Sequence, residues 1–259
     1  MRRVVPWLGL LLLAISFVFL IRLPVPMHPV GAPKPPPGRG KAWPVVVLDA
    51  GHGGRDSGAM CGLVMEKDLT LDVAQRAELL LRTAGYMTVL TRDSDRYLSL
   101  AERAEVGNRE DDSLFVSIHF NDGDQAAASG VETYYAQKRS DSAPSRFLSW
   151  LSFLQQADNS PLINKSERLA NCIQESLVER TRAINRGTKA EQFYVIANVR
   201  HPAALVEGGF LTNKMDVSKL ATTEYRQEIA LAISHGVQHY RETSRENDAT
   251  LAVAASSTE

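Results

Sequence analysis

Four side chains in this sequence stand where they could do chemistry together: His52, Glu66, His119 and Glu207. His52 follows the run Val45-Val46-Val47-Leu48-Asp49-Ala50-Gly51 and precedes Gly53-Gly54. Glycines on both sides let backbone approach a ligand closely, so the imidazole is lifted off a strand end into a loop. His119 closes the run Leu114-Phe115-Val116-Ser117-Ile118, and Glu207 follows Ala204-Leu205-Val206 ahead of Gly208-Gly209. A carboxylate at the end of so apolar a strand is costly unless a cation meets it. Glu66 follows a glycine-containing loop and opens a helix. Two histidines and one carboxylate are a common ligand set for catalytic zinc, with a fourth position left for water, and the remaining glutamate can act as general base. Each residue alone also has a plainer role. A strand-end histidine is usually structural, Glu66 could simply meet a helix dipole, and Glu207 could pair with Arg92 or Arg103. Convergence at one sheet edge separates the two readings.

The elements that must bring them together follow from hydrophobic periodicity. Strands are expected over 45–51, 87–92, 114–120, 130–136, 193–199 and 203–208, and helices over 67–84, 99–109, 166–184 and 222–240. Ser99 and Glu102 have capping-box spacing. Strands alternating with helices imply a single α/β domain, with a twisted, mostly parallel or mixed sheet flanked by helices on both faces. In such sheets ligands bind beyond the carboxyl ends of the strands. If the strands carrying His52, His119 and Glu207 are parallel, the three side chains meet at that edge.

The ends have other compositions. Of the 29 basic side chains, six lie in residues 1–41 without any acid, so the remainder holds 23 against 30 acids, a formal −7 that argues against a nucleic-acid partner. Residues 4–21 are uncharged, and such a stretch spans roughly 27 Å as a helix, just enough to cross a bilayer. Residues 1–23 are therefore expected to be a signal or membrane-anchor segment. No small-residue cut site follows, which favours a retained anchor while leaving a cleaved signal open. Eight prolines in 24–44 mark a semi-rigid linker over 24–43. The catalytic domain is expected over 44–241 and a disordered tail over 242–259. Residues 137–164 break the rhythm and read as an insert or lid carrying the apolar stretch 147–154. Cys61 and Cys172 lack metal-ligand spacing, and either a disulfide or two free thiols is compatible with them. A Cys61 nucleophile is a minor rival.

Ordered blocks carry more information than spacing. Leu48-Asp49-Ala50-Gly51-His52-Gly53-Gly54, Glu66-Lys67-Asp68, Ser117-Ile118-His119-Phe120-Asn121 and Val206-Glu207-Gly208-Gly209-Phe210-Leu211-Thr212-Asn213, with Thr91-Arg92, Arg103 and Asn185-Arg186-Gly187 between them, resemble the zinc-dependent N-acetylmuramoyl-L-alanine amidases of bacterial cell walls. The resemblance covers residues 44–241. It implies a six-stranded sheet, zinc on His52, Glu66 and His119, and Glu207 as the catalytic glutamate. The implied reaction is hydrolysis of the amide between N-acetylmuramic acid and L-alanine in peptidoglycan, in the cell envelope at the extracytoplasmic face of the inner membrane. Phe120 departs from the small residue usual at its position and is expected to narrow the groove or shift specificity. Some relatives carry an insert that blocks the zinc until an activator protein binds. Residues 137–164 hold the same place, with Asp141 or Asp158 as the residues that would reach the metal. The alternatives are a zinc amidase or peptidase on another N-acyl peptide, and a non-catalytic peptidoglycan-binding module.

Overall fold

Apolar runs become the inner strands, and their alternation decides which side chains meet. The computed structural model describes residues 44–123, 125, 127–137 and 160–256, all within one compact unit. The strands are β1 (Val45–Ala50), a small hairpin of β2 (Met60–Cys61) and β3 (Val64–Met65), then β4 (Thr88–Leu90), β5 (Ser113–Asn121), β6 (Val131–Tyr135), β7 (Asn185–Ala190) and β8 (Ala203–Phe210). Six form one sheet in the order β4-β1-β5-β8-β6-β7. β4, β1, β5 and β8 run parallel, β6 is antiparallel to β8, and β7 is parallel to β6. This is the expected six-stranded mixed sheet, and the strands carrying His52, His119 and Glu207 are parallel neighbours.

The two faces are covered unequally. The helices are α1 (Glu66–Thr83), α2 (Leu100–Gly107), α3 (Ser160–Thr181), α4 (Tyr194–Ala197), α5 (Lys214–Leu220) and α6 (Thr223–Ser256). Leu69, Val73, Ala77 and Leu81 of α1, Leu169, Ile173 and Leu177 of α3, and Ile229, Ile233 and Val237 of α6 pack with Val46, Leu48, Val116, Ile118 and Val206. The alternate strand residues Val47, Phe115, Tyr134 and Leu205 face a thinner layer made by Ala104 of α2 and by Val195 and Ile196 of α4. Because side chains alternate along a strand, Asp49, Ser117, His119, Glu132 and Glu207 share the thin-layer face. Short helices there leave room for a site that three long helices would have buried.

Several expectations are corrected. Residues 193–199 contain the short helix α4, not a strand; Val195, Ile196 and Ala197 are buried consecutively rather than alternately. A short apolar run cannot by itself distinguish the two. The sixth strand is instead the polar β7, an edge strand with no apolar alternation to announce it. The helix expected from 166 begins at Ser160, with Pro161 in its first turn, where a missing N–H costs nothing. The last helix continues to Ser256, past the point where a disordered tail was expected; no glycine or proline follows Gly236 to stop it. Phe120 does not line a groove. It is buried in the thick-layer core, and a Cβ on Gly208 would lie 2.8 Å from its ring. Both cysteines are partly buried and free. The expected terminal segment 1–23, the linker 24–43, Asp141 and Asp158 lie outside the described residues, and 160–164 form the first turns of α3. Among the described residues no helix is long and apolar enough to cross a membrane.

Candidate metal centre and its surroundings

Glu66 lies at the centre of the site. As the first residue of α1 it is 4% exposed, and the positive end of the helix favours a carboxylate there. Its Oε2 accepts from the backbone N–H of Ala59 at 2.9 Å and lies 3.0 Å from His52 Nε2. Its Oε1 accepts from Phe120 N–H at 3.1 Å and lies 2.9 Å from His119 Nδ1. One carboxylate therefore spans both histidines, whose rings meet edge-on with centroids 4.9 Å apart. Burial alone would raise the Glu66 pKa, but hydrogen bonds from His119 and His52 outweigh it and hold the carboxyl well below its usual range. Burial disfavours protonated His52, yet the carboxylates of Glu66 and Asp56 overcome this and raise its pKa. Asp56 Oδ2 is 3.0 Å from His52 Nδ1 but off the hydrogen-bond direction, so that nitrogen has no well-aligned partner.

Ligand atoms of His52, Glu66 and His119 all lie within 4.8 Å of one another. Two glycines make the space they occupy. A Cβ on Gly51 would lie 2.3 Å from His119 Cε1, and a Cβ on Gly58 would lie 2.4 Å from Glu66 Oε2 and 2.7 Å from His52 Cδ2. Gly58 also has φ +63°, a conformation side chains rarely adopt. His52 itself has φ +58°, at a cost of order 1–3 kcal/mol that the surroundings must offset. Arg103 does much of this. Buried at 2% exposure, it donates to the carbonyls of Ala50 and His52 and to Asp49 Oδ1. Arg92 donates to the carbonyls of Ala50, Gly51 and Lys67. Asp49 is fully buried and also accepts from Thr91 and Ser117 hydroxyls, each at 2.7 Å. The two arginines thus clamp the backbone that presents His52.

Glu207 stands opposite His119 in the register of β5 and β8, and opposite Glu132 across β6. Its Oε2 is buried and has no hydrogen-bond partner among the described residues. Arg103 is committed to Asp49, and Arg92 to carbonyls, so neither forms the ion pair that would have made Glu207 structural. Burial, with the carboxylates of Glu66 and Glu132 adding repulsion, pushes its pKa well up. A buried carboxylate oxygen of Glu207 left without a partner among the described residues, beside a two-histidine, one-carboxylate cluster in a glycine-made cradle, fits a divalent cation of the zinc type. His52, Glu66, His119 and Glu207 are therefore brought to one edge. Glu132 was missed, although the signal that marked Glu207, an acid inside an apolar strand, marks Val131-Glu132-Thr133-Tyr134 too.

Comparison with known proteins gives the family. The family model described as N-acetylmuramoyl-L-alanine amidase matches residues 46–239. The uncharacterized protein YqiI of Bacillus subtilis (strain 168) is 39% identical over 195 residues, spanning 75% of this chain and 84% of its own length. The germination-specific N-acetylmuramoyl-L-alanine amidase of the same strain is 30% identical over 257 residues, 93% of this chain and 96% of its own. A solved structure of the CwlD amidase from Clostridioides difficile in complex with the GerS lipoprotein superposes with a TM-score of 0.66 at 28% identity, covering 78% of this chain and all of that one. Matched over most of its length and sharing the fold, this chain belongs to the N-acetylmuramoyl-L-alanine amidase family.

Proposed function

We propose that the protein hydrolyses the amide between N-acetylmuramic acid and L-alanine in peptidoglycan, with zinc held by His52, Glu66 and His119 and with Glu207 as the proton-transferring base. The observation that carries this is the unpartnered Glu207 Oε2 on the strand beside His119, at the edge where the three ligand side chains converge. Zinc bound there would lower the pKa of a water and polarise the scissile carbonyl. Glu207 takes the proton from the attacking water at its carboxylate and returns it to the leaving amine of L-alanine. Its buried setting, beside Glu66 and Glu132, gives it the raised proton affinity that this exchange needs. Gly51 and Gly58 keep the ligand side chains in place by leaving their volume empty. Arg103 and Arg92 hold the His52 loop, so that no reorganisation is needed when substrate arrives.

The reading places the protein in the cell envelope, outside the cytoplasm, with residues 1–23 as its signal or anchor. A partner protein bearing on residues 137–164 is part of the same reading, supported by the complex that the CwlD relative forms with a lipoprotein. The test is mass spectrometry of sacculi digested by the full chain, with and without chelator. Metal-dependent release of intact stem peptides is expected. Cuts within the peptide would instead make it a peptidase on another bond, and binding without cleavage in the presence of zinc would make it a binding module.

A further inference from the structure

Next to Glu207 the sheet face opens into a cavity of about 610 Å3 lined by Asn121, Glu132, Tyr134, Arg186, Lys189 and Phe210, among others. That is the size of a small-ligand pocket. It adjoins the site: Asn121 lies two residues beyond His119 on β5, and Glu132 is the register partner of Glu207.

Glu132 is 1% exposed, and all its bonding capacity is used internally. Its Oε1 accepts from Asn121 Nδ2 at 2.7 Å and from Tyr134 OH at 2.6 Å. Its Oε2 accepts from Arg186 Nε at 2.8 Å and from Lys189 Nζ. The Arg186 guanidinium also lies over the Phe210 ring, 4.8 Å from its centroid. Buried Gln174 donates to Val131 O and Asn185 Oδ1, anchoring the start of the strand that carries Arg186. Arg186 is therefore held through Nε and through one face. Its two terminal amino groups have no hydrogen bond among the described residues, and 34% of the side chain is open to solvent. Asp122, the other acid of the lining among the described residues, is solvent-exposed, where water screens it. The buried acid thus positions two cations and leaves a rigid donor fork facing the cavity, the geometry that matches a carboxylate.

We propose that this cavity is a carboxylate subsite for the peptide half of the substrate, with Arg186 as its specificity-determining residue and Lys189 beside it. The assignment rests on the amidase reading. Once its lactyl carboxyl is tied up in the scissile amide, the sugar half carries no charge, so the anionic groups lie on the peptide side. Span selects which one. Neighbouring strands are about 4.8 Å apart, and Arg186 reaches back over β6 to Glu132, one strand from Glu207. One extended residue covers about 3.5 Å, so the second residue after the scissile bond, roughly 7 Å along, is the first whose carboxylate comes within reach of the fork. A glutamate joined through its side chain at that position leaves its α-carboxylate free to do so.

The test uses the full chain with zinc and two soluble substrates, N-acetylmuramoyl-L-alanyl-D-glutamate with its γ-carboxyl capped as the methylamide, and the same molecule with its α-carboxylate converted to carboxamide. The wild type is expected to favour the acid by about tenfold or more in kcat/KM, mainly through KM. Arg186→Gln should bring the ratio of the two substrates close to one, and Arg186→Lys should recover part of it. A merely structural role for Arg186 would slow both substrates equally and leave the ratio intact; that result, or a wild type indifferent to the amide, overturns the proposal. Titration calorimetry of L-alanyl-D-glutamate γ-methylamide and its α-amide onto Glu207→Gln protein reads the subsite without hydrolysis, and tenfold weaker binding of the amide is expected. Carboxylate preference in that titration without cleavage by the wild type would sink the amidase reading and keep the subsite. Cleavage with no preference, or no binding of either peptide, sinks the subsite.

Discussion

Adding one methyl group at Gly51 should disable the centre without unfolding the protein. A Cβ there would sit 2.3 Å from His119 Cε1, 2.5 Å from Nε2 and 2.7 Å from Nδ1. Ordinary contact begins near 3.4 Å, so the ring must move by about 1 Å. Gly51 does not have the positive φ of its neighbours, so the effect of Gly51→Ala is steric and confined to this ligand. Metal bonds tolerate about 0.2 Å, and misplacement of a reacting group by about 1 Å costs roughly 100-fold. Zinc affinity and kcat/KM should each fall by about 100-fold or more. His119 has 21% of its side chain exposed and can swing outward, so the stability cost should stay near that of modest overpacking, about 1–3 kcal/mol. At about 2–4 °C per kcal/mol for a domain of this size, the metal-free Tm should drop by about 2–12 °C. Competition against a chromophoric chelator measures the affinity, and circular dichroism measures the fold. Wild-type zinc affinity in a folded Gly51→Ala protein would refute the claim that Gly51 makes room for a metal-binding His119.

Four further outcomes follow from the same geometry. Chelation should lower the Tm of the wild type by about 5–11 °C, the loss of about 2.7 kcal/mol of linkage at 100-fold excess of zinc over Kd. Glu207→Gln should show the same shift while losing activity, and a Glu207→Gln protein that no longer binds zinc would make Glu207 a ligand instead of the base. Arg103→Met should cost about 3–5 kcal/mol in urea unfolding by stranding buried Asp49, and adding Asp49→Asn should recover part of the loss; additive effects would mean the pair is not coupled. For Glu132, burial would raise the pKa, but hydrogen bonds from Lys189, Tyr134 and Arg186 bring it below its ordinary value of 4.5. Its contribution is therefore present above about pH 4.5 and is lost as pH falls through the lower folded value. Glu132→Gln should flatten that part of the acid limb of a stability curve, and an unchanged limb would place the titrating groups elsewhere.

The structure shows where reading a sequence succeeds. Buried parallel strands announce themselves: 45–51, 114–120 and 203–208 are apolar on both faces, and each came out within a few residues of its observed span. The polar edge strand β7 did not, because an edge needs little apolar surface, and the run at 193–199 was assigned to the wrong element because consecutive apolar residues fit either period. Phe120 was expected to narrow the groove because it replaces a small residue usual in the resembled family, yet adjacent residues on a strand point to opposite faces, and it fills the space over Gly208.

What the sequence determined by itself was the inventory: strand ends carrying His52, His119 and Glu207, a helix opening on Glu66, and glycines where side chains must pass close to backbone. These are local properties, written in composition and period. Tertiary structure alone decided that Glu207 pairs with no cation among the described residues, that Arg103 serves Asp49 and the His52 carbonyl, and that Glu132 joins Arg186 to Lys189 beside the site. Those facts depend on which strands lie side by side and in what register. Hydrogen bonds and charge act over a few ångströms between residues that are dozens of positions apart in the chain, so partnership becomes readable only when the sheet has been assembled.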